Sequence, residues 1–352
     1  MIRAARRGAG SPHRTSLPRI PLNTLAIGFG LAGLATLWTT VATALGWSEA
    51  LPVALWIVAA IAWVWLIVAH TVRGSRSSET LASQLRHPAQ GPIAAIVPLV
   101  GMLLGLELSA FWPIGGAVLA AVSFVVATLY AGWILAFWHR GSLNPEAFHG
   151  AYLLPTVGAG FIAAIVAARL HAPEVAVAAF AVGIFFWVVL VTVLLSRLAF
   201  FPPLPDPLTP TLAILLAPPA LGGTAWFAMN GLHRDPVSDA FVGILVVMLL
   251  LQLFLLPAYR RLHFTLGFWS FTFPVAAAAA YGVQWLHLVG FSGWQPLAVV
   301  VAGLSSAVTL AVAVRSLVLV TSVRRGARRA EQTLRRADDA VTNPVRAVQP
   351  RG

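Results

Sequence analysis

Apolar residues in this chain come in long unbroken blocks rather than in alternation. Ten such blocks follow one another, at roughly 21–46, 51–72, 91–109, 113–138, 153–170, 174–196, 209–230, 237–257, 264–288 and 296–320. A helix needs about twenty mainly apolar residues to cross the hydrocarbon core of a bilayer. A transmembrane β-barrel would instead show shorter segments of alternating polarity. The pattern predicts an all-α integral membrane protein with ten transmembrane helices. Short connections make neighbours antiparallel, so the ten pair as five helical hairpins.

The prolines add a second pattern. Pro52, Pro113, Pro173, Pro236 and Pro296 each open an even-numbered block, at separations of 61, 60, 63 and 60 residues. A repeat of about 60 residues means a repeating two-helix unit. Proline in the first turn sacrifices no hydrogen bond, because that N–H has no intrahelical partner. In the odd blocks Pro98, Pro155, Pro218 and Pro274 lie inside the apolar run, where proline removes a backbone hydrogen bond and kinks the helix. The first block has no internal proline and carries Gly28, Gly30 and Gly33 instead. Interrupted helices at membrane depth are tolerated where they face protein or a water-filled cavity. These seven residues are therefore the expected pore-lining or kink positions. The expected architecture has the odd helices inside, around a central pore, and the even helices outside.

Composition narrows the class. Of 352 residues, 59% are hydrophobic and 10% charged, against about a quarter charged in soluble domains. A soluble enzyme is excluded, and so is a disordered chain, which would be poor in apolar residues. With no Cys, disulfides and thiolate chemistry are excluded too. The net charge is +12, and all 23 basic residues are Arg. Twenty of them fall at one set of helix ends: in the N-terminal segment, at Arg73, Arg76, Arg86, Arg140, Arg197, Arg260 and Arg261, and in the C-terminal segment. Only Arg169 and Arg234 fall at the opposite ends, and Arg315 lies inside the tenth block. By the positive-inside rule both termini are cytoplasmic, which requires an even number of spans. The charge is thus a topology signal, and its natural partner is the lipid bilayer, with no nucleic acid implied. Three regions are expected: a basic cytoplasmic tail at 1–20, the membrane domain at 21–321, and an Arg-rich cytoplasmic tail at 322–352.

Candidate chemistry is sparse. Apart from Glu174 and Asp239, which stand in the first turns of their blocks beside the outer loops, Glu107 is the one acid within a block, near its outer end. No two His pair at mid-membrane depth, as haem ligation across a bundle would need. The HExxH, GxSxG and GxxxxGK[ST] patterns are missing. No catalytic residue, metal or cofactor is expected. Cation pathways carry acidic rings, whereas anion pores use basic residues. A membrane domain without acid at depth and with an Arg-rich inner face suits a small inorganic or organic anion. His87 and Arg315 are candidates for the cytoplasmic mouth, with Arg315 either snorkelling to the interface or attracting anions there. The competing reading is a membrane-embedded cofactor-binding enzyme or electron-transfer protein, which the absorbance of a bound cofactor would reveal.

Three runs are more specific. Tyr152-Leu153-Leu154-Pro155-Thr156-Val157, Leu215-Leu216-Ala217-Pro218-Pro219-Ala220 and Phe268-Trp269-Ser270-Phe271-Thr272-Phe273-Pro274 resemble the tellurite-resistance/dicarboxylate transporter family. That family includes bacterial tellurite-resistance membrane proteins, fungal malate and sulfite transporters and plant slow anion channels. Arg86-His87-Pro88, the glycine-rich first span ending in Trp38, and Arg315-Ser316-Leu317 extend the resemblance over about residues 20 to 323. It implies ten helices around a central pore, a homotrimer with one pore per subunit, and a multi-pass seat in the bacterial cytoplasmic (inner) membrane. The implied cargo is chloride, nitrate, sulfite or a C4-dicarboxylate, with tellurite resistance as an outward effect. It also implies that a phenylalanine on span nine closes the pore, and the matching position is Phe273. A bulky ring beside a proline kink can block a narrow pore by sterics and dewetting. One departure stands out. Bacterial relatives carry Asn after the Pro-Thr-Val of span five, and this chain has Gly158-Ala159-Gly160, which leaves the cargo open.

Overall fold

The structure, a computed structural model, describes residues 18–141 and 143–342. Its regular elements there are all helical. Among the described residues, ten helices are long and apolar enough to cross a membrane. They are α1 Leu22–Leu45, α2 Ala50–Ser75, α3 Gly91–Ser109, α4 Pro113–Trp138, α5 Gly150–Arg169, α6 Pro173–Phe200, α7 Thr209–Asn230, α8 Pro236–Tyr259, α9 Leu266–Val289 and α10 Trp294–Thr342. The apolar part of α10 ends near Ser322. The helix continues past it because the Ala, Arg, Glu, Gln and Leu that follow are strong helix formers.

Helix ends follow local chemistry. Pro113, Pro173 and Pro236 are the first residues of α4, α6 and α8. Pro52 and Pro296 fall in the first turns of α2 and α10. At α8, Asp235 accepts from Ser238 N at 2.7 Å while Ser238 Oγ accepts from Asp235 N, a closed capping box. Helices α1 and α9 stop at Gly46 and Gly290, whose φ of 64° and 63° lies in the left-handed region that glycine adopts without steric cost.

Every odd helix changes pitch along its length. It starts as a tighter 3-10 turn and becomes α-helical at Ala26, Ile96, Ala159, Ala217 or Thr272. Pro98, Pro218 and Pro274 sit in the first turn of the α segment, and Pro155 sits in a π turn, Leu154–Gly158, between the 3-10 and α parts. A proline nitrogen has no proton to donate, so the α pattern cannot run back through it, and the chain takes up another pitch. α1 makes the same change without a proline, and its α-helix runs unbroken through Gly28, Gly30 and Gly33.

The odd helices form a closed circuit, α1 against α3, α3 against α5, α5 against α7, α7 against α9, and α9 back against α1. Each even helix packs on the odd helix before it. In the most apolar stretch of each helix, 61–83% of residues are buried in the odd set and 11–28% in the even set. Each even helix is also more apolar than any odd one, as expected when lipid is its solvent. Lipid supplies no hydrophobic drive between helices, so close packing needs small residues. A Cβ on Gly160 of α5 would stand 2.7 Å from Gly183 N of α6, and one on Gly116 of α4 would strike the Ser109 backbone at the end of α3.

Candidate functional site

The circuit of odd helices encloses a cavity to which all five contribute. Asn23, Ala26 and Phe29 come from α1, Ile93 and Ile96 from α3, Leu154 and Gly158 from α5, Ile214, Pro218 and Leu221 from α7, and Trp269, Ser270, Phe273 and Pro274 from α9. Among the described residues, no charged side chain borders it. Its polar groups include the Asn23 amide and the Ser270 hydroxyl. Asn23 Oδ1 is buried without a hydrogen-bond partner among the described residues. An amide can turn either its oxygen or its two N–H donors toward such a space.

Two aromatic rings meet in the cavity. Phe29 and Phe273 stack with centroids 3.5 Å apart and planes 9° from parallel. They are 5% and 4% exposed. The sequence places them there through glycines. A Cβ on Gly33 would come within 2.8 Å of the Phe273 ring, and one on Gly30 would collide with Thr272 Oγ1. Without those methyls α1 lies close against the start of the α-helical part of α9. Thr272 Oγ1 donates to Trp269 O at 2.8 Å, and Trp269 Nε1 donates to Ser316 Oγ of α10 at 2.9 Å. Trp38 Nε1 of α1 donates to Ser306 Oγ of α10 at 3.0 Å. The two helices that carry the rings are therefore both pinned to α10.

The family model of SLAC1, the voltage-dependent anion channel, matches residues 19–317 of this chain. The chain belongs to the SLAC1 family. It is 24% identical over 269 residues to a TehA homolog, a tellurite resistance protein of Haemophilus influenzae, covering 76% of this chain and 82% of that one. It is 23% identical to two Arabidopsis thaliana proteins, the S-type anion channel SLAH2 and the guard cell S-type anion channel SLAC1. These matches cover 84% and 86% of this chain but only 58% and 56% of the plant channels. The SLAC1 match takes in all ten spans and stops at Leu317, short of the extended part of α10.

Within this SLAC1-family fold the residues singled out by sequence separate into groups. Phe273, Pro218 and Pro274 border the cavity. Gly30 and Gly33 face α9, while Gly28 faces α2, where an added Cβ would lie 3.7 Å from Trp63 and Leu66. Pro155 is buried in α5. Pro98 borders a groove outside the ring. Of the Gly158-Ala159-Gly160 run, Gly158 borders the cavity and Gly160 is turned to α6. His87 organises its own loop, with Nδ1 accepting from Ala89 N at 3.2 Å and its carbonyl accepting from Gly91 N at 2.7 Å. Arg315 is exposed on α10, its guanidinium 5.8 Å from the Phe264 ring. His87 and Arg315 do not border the cavity.

Phe29, Asn23 and Ser270 border it and escape sequence reasoning. A signal existed for Phe29, an aromatic set between Gly28 and Gly30. Another group lies at the Arg-rich end of α5 and α6. Arg197, 4% exposed, donates through Nε and Nη2 to Glu146 O at 3.3 and 2.9 Å, and its Nη1 has no partner among the described residues. Beside it His149 is fully buried, its Nδ1 accepting from Ala151 N at 3.4 Å. Burial pushes the His149 pKa down to about 4, with the Arg197 charge acting in the same direction.

Proposed function

We propose that this protein conducts small anions across a bacterial cytoplasmic membrane through the interior of its odd-helix ring, and that Phe273 is the gate. The Phe29–Phe273 stack in the cavity carries this reading. Two stacked rings in a narrow apolar passage exclude both ion and water, and turning Phe273 about χ1 would open the path. The lining suits an anion in two ways. Among the described residues it offers no carboxylate to repel one, and it offers neutral donors at Asn23 and Ser270. Arg-rich helix ends raise the local anion concentration at one mouth. That mouth is cytoplasmic by the positive-inside rule, so both termini are too.

Membership of the SLAC1 family supports transport rather than catalysis. The cargo we assign is a small anion of the chloride, nitrate, sulfite or C4-dicarboxylate kind. The named relatives, a tellurite resistance protein and S-type anion channels, fit this range. We further assign a homotrimer with one pore per subunit.

The test is anion flux from proteoliposomes containing the wild type, Phe273→Ala or Phe29→Ala. Phe273→Ala should raise flux at least tenfold, corresponding to about 1.4 kcal/mol off the barrier. Phe29→Ala should raise it less, because Phe273 alone still occupies the path. Unchanged flux in Phe273→Ala would remove the gate assignment. Reversal potentials across a panel of anions would then rank the cargo.

A further inference from the structure

The even helices do not cover the ring evenly. Between α2 and α4, at the Arg-rich end, a groove reaches inward to α3. Its apolar part is lined by Leu25, Ile67, Ala94, Val97, Pro98 and Val126. Val126 is 47% exposed and continues into the bare surface of Val122 and Leu129 on α4. That surface faces hydrocarbon in a ten-span membrane protein, so the groove opens sideways to lipid.

The other end of the groove is cationic. Arg19 lies across Gly74, with Nη2 donating to Gly74 O at 3.4 Å and Nε to Glu79 O at 2.7 Å. A Cβ on Gly74 would meet the guanidinium. Next to it Arg73 Nε donates to Pro18 O at 3.0 Å. All these acceptors are neutral carbonyls. Among the described residues neither arginine is in an ion pair. The two ion pairs there, His233–Asp235 and Arg234–Asp239, lie at the far end of the molecule. His70, Ser75 and Gln84 border the same end of the groove, with His70 Nε2 2.8 Å from Thr24 Oγ1.

We propose that this groove binds one anionic phospholipid per subunit, with an acyl chain in the apolar slot and the phosphate at Arg19 and Arg73. Water has few partners in the slot, and a bilayer-facing apolar cleft fills with hydrocarbon. From Ile67 to Ser75 the groove follows α2 for about 12 Å, enough for much of an acyl chain. Both guanidiniums sit where α2 leaves the apolar zone, at headgroup depth. A guanidinium fork satisfied only by carbonyls is matched by a phosphate, which adds the missing negative charge. The inference rests on the membrane fold and not on anion conduction.

The experiment is native mass spectrometry of the full-length protein released from detergent, with phosphatidylglycerol and phosphatidylcholine as probes. The wild type should retain phosphatidylglycerol under activation that strips phosphatidylcholine. Each arginine near an anionic headgroup is worth roughly fivefold, so Arg19→Gln with Arg73→Gln should cut retention by an order of magnitude or more. Val126→Trp keeps both charges and fills the slot from an exposed position that does not threaten folding, and it should lose the lipid as well. Equal retention of the two lipids by the wild type, or unchanged retention in both variants, overturns the proposal. So does a wild type without lipid whose oligomer is broken by Val126→Trp, which would mean that a second copy covers the groove. Anion flux plays no part in these readouts, so failure here leaves the conduction reading where it stands.

Discussion

At the scale of single residues, two groups set the behaviour of the protein. In the proposed gate, the Phe29–Phe273 stack is the contact that opening would break. Aromatic pairs contribute about 0.5–1.5 kcal/mol beyond their buried area, so under that proposal Phe29 would hold Phe273 in its closed rotamer as well as fill space. His149 acts on stability. Its folded pKa is about 4, below the ordinary value near 6.5. Between these pH values the unfolded chain binds a proton that the folded chain refuses, so stability is fully present above about pH 6.5 and falls as the pH drops. The loss reaches about 3 kcal/mol by pH 4. Melting temperatures in detergent should therefore decline from pH 7 to pH 4.5, and His149→Asn should flatten that decline. Asparagine can still accept from Ala151 N, which keeps the turn. Equal slopes in the two proteins would assign the acid sensitivity elsewhere.

At the scale of elements, the α1–α9 contact is the one on which the candidate gate depends. Gly30 and Gly33 are what let these helices meet. Gly30→Ala should destabilise by about 1–3 kcal/mol, the usual cost of overpacking, and lower the melting temperature. Adding Thr272→Ala removes the nearest atom and should restore part of the loss. If Gly30→Ala melts like the wild type, the helix spacing is set by other residues. The same contact shows what could be read from sequence. Ten blocks, their proline starts and the pitch changes near Pro98, Pro155, Pro218 and Pro274 follow from residue types alone. Which face of α1 looks inward does not. The odd helices are apolar all round, so no polar stripe marks the solvent side, and Gly28 and Gly30 are near neighbours of one residue type that face different helices, α2 and α9. The greater apolarity of the even helices was legible, and it follows their exposure. The seat of His87 was not, because a loop-capping imidazole and a mouth-lining one have the same sequence context.

At the scale of the whole molecule, the charge asymmetry predicts how the protein sits in its membrane. Because the chain has no native Cys, single cysteines report on topology cleanly. Arg140→Cys, in the exposed α4–α5 connection, should react with a membrane-impermeant maleimide only from the cytoplasmic side. Ser48→Cys, in the α1–α2 turn, should react only from outside. Labelling of both from the same side would contradict the ten-span arrangement. The unbroken course of α10 has a mechanical consequence. The twenty residues from Val323 to Thr342 make a rod about 30 Å long. Its root is bonded through Ser306 and Ser316 to α1 and α9, the helices that carry the two stacked rings. A stiff rod anchored at two such points is a lever. A displacement of that rod would be passed through the Ser316–Trp269 hydrogen bond to a point four residues before Phe273.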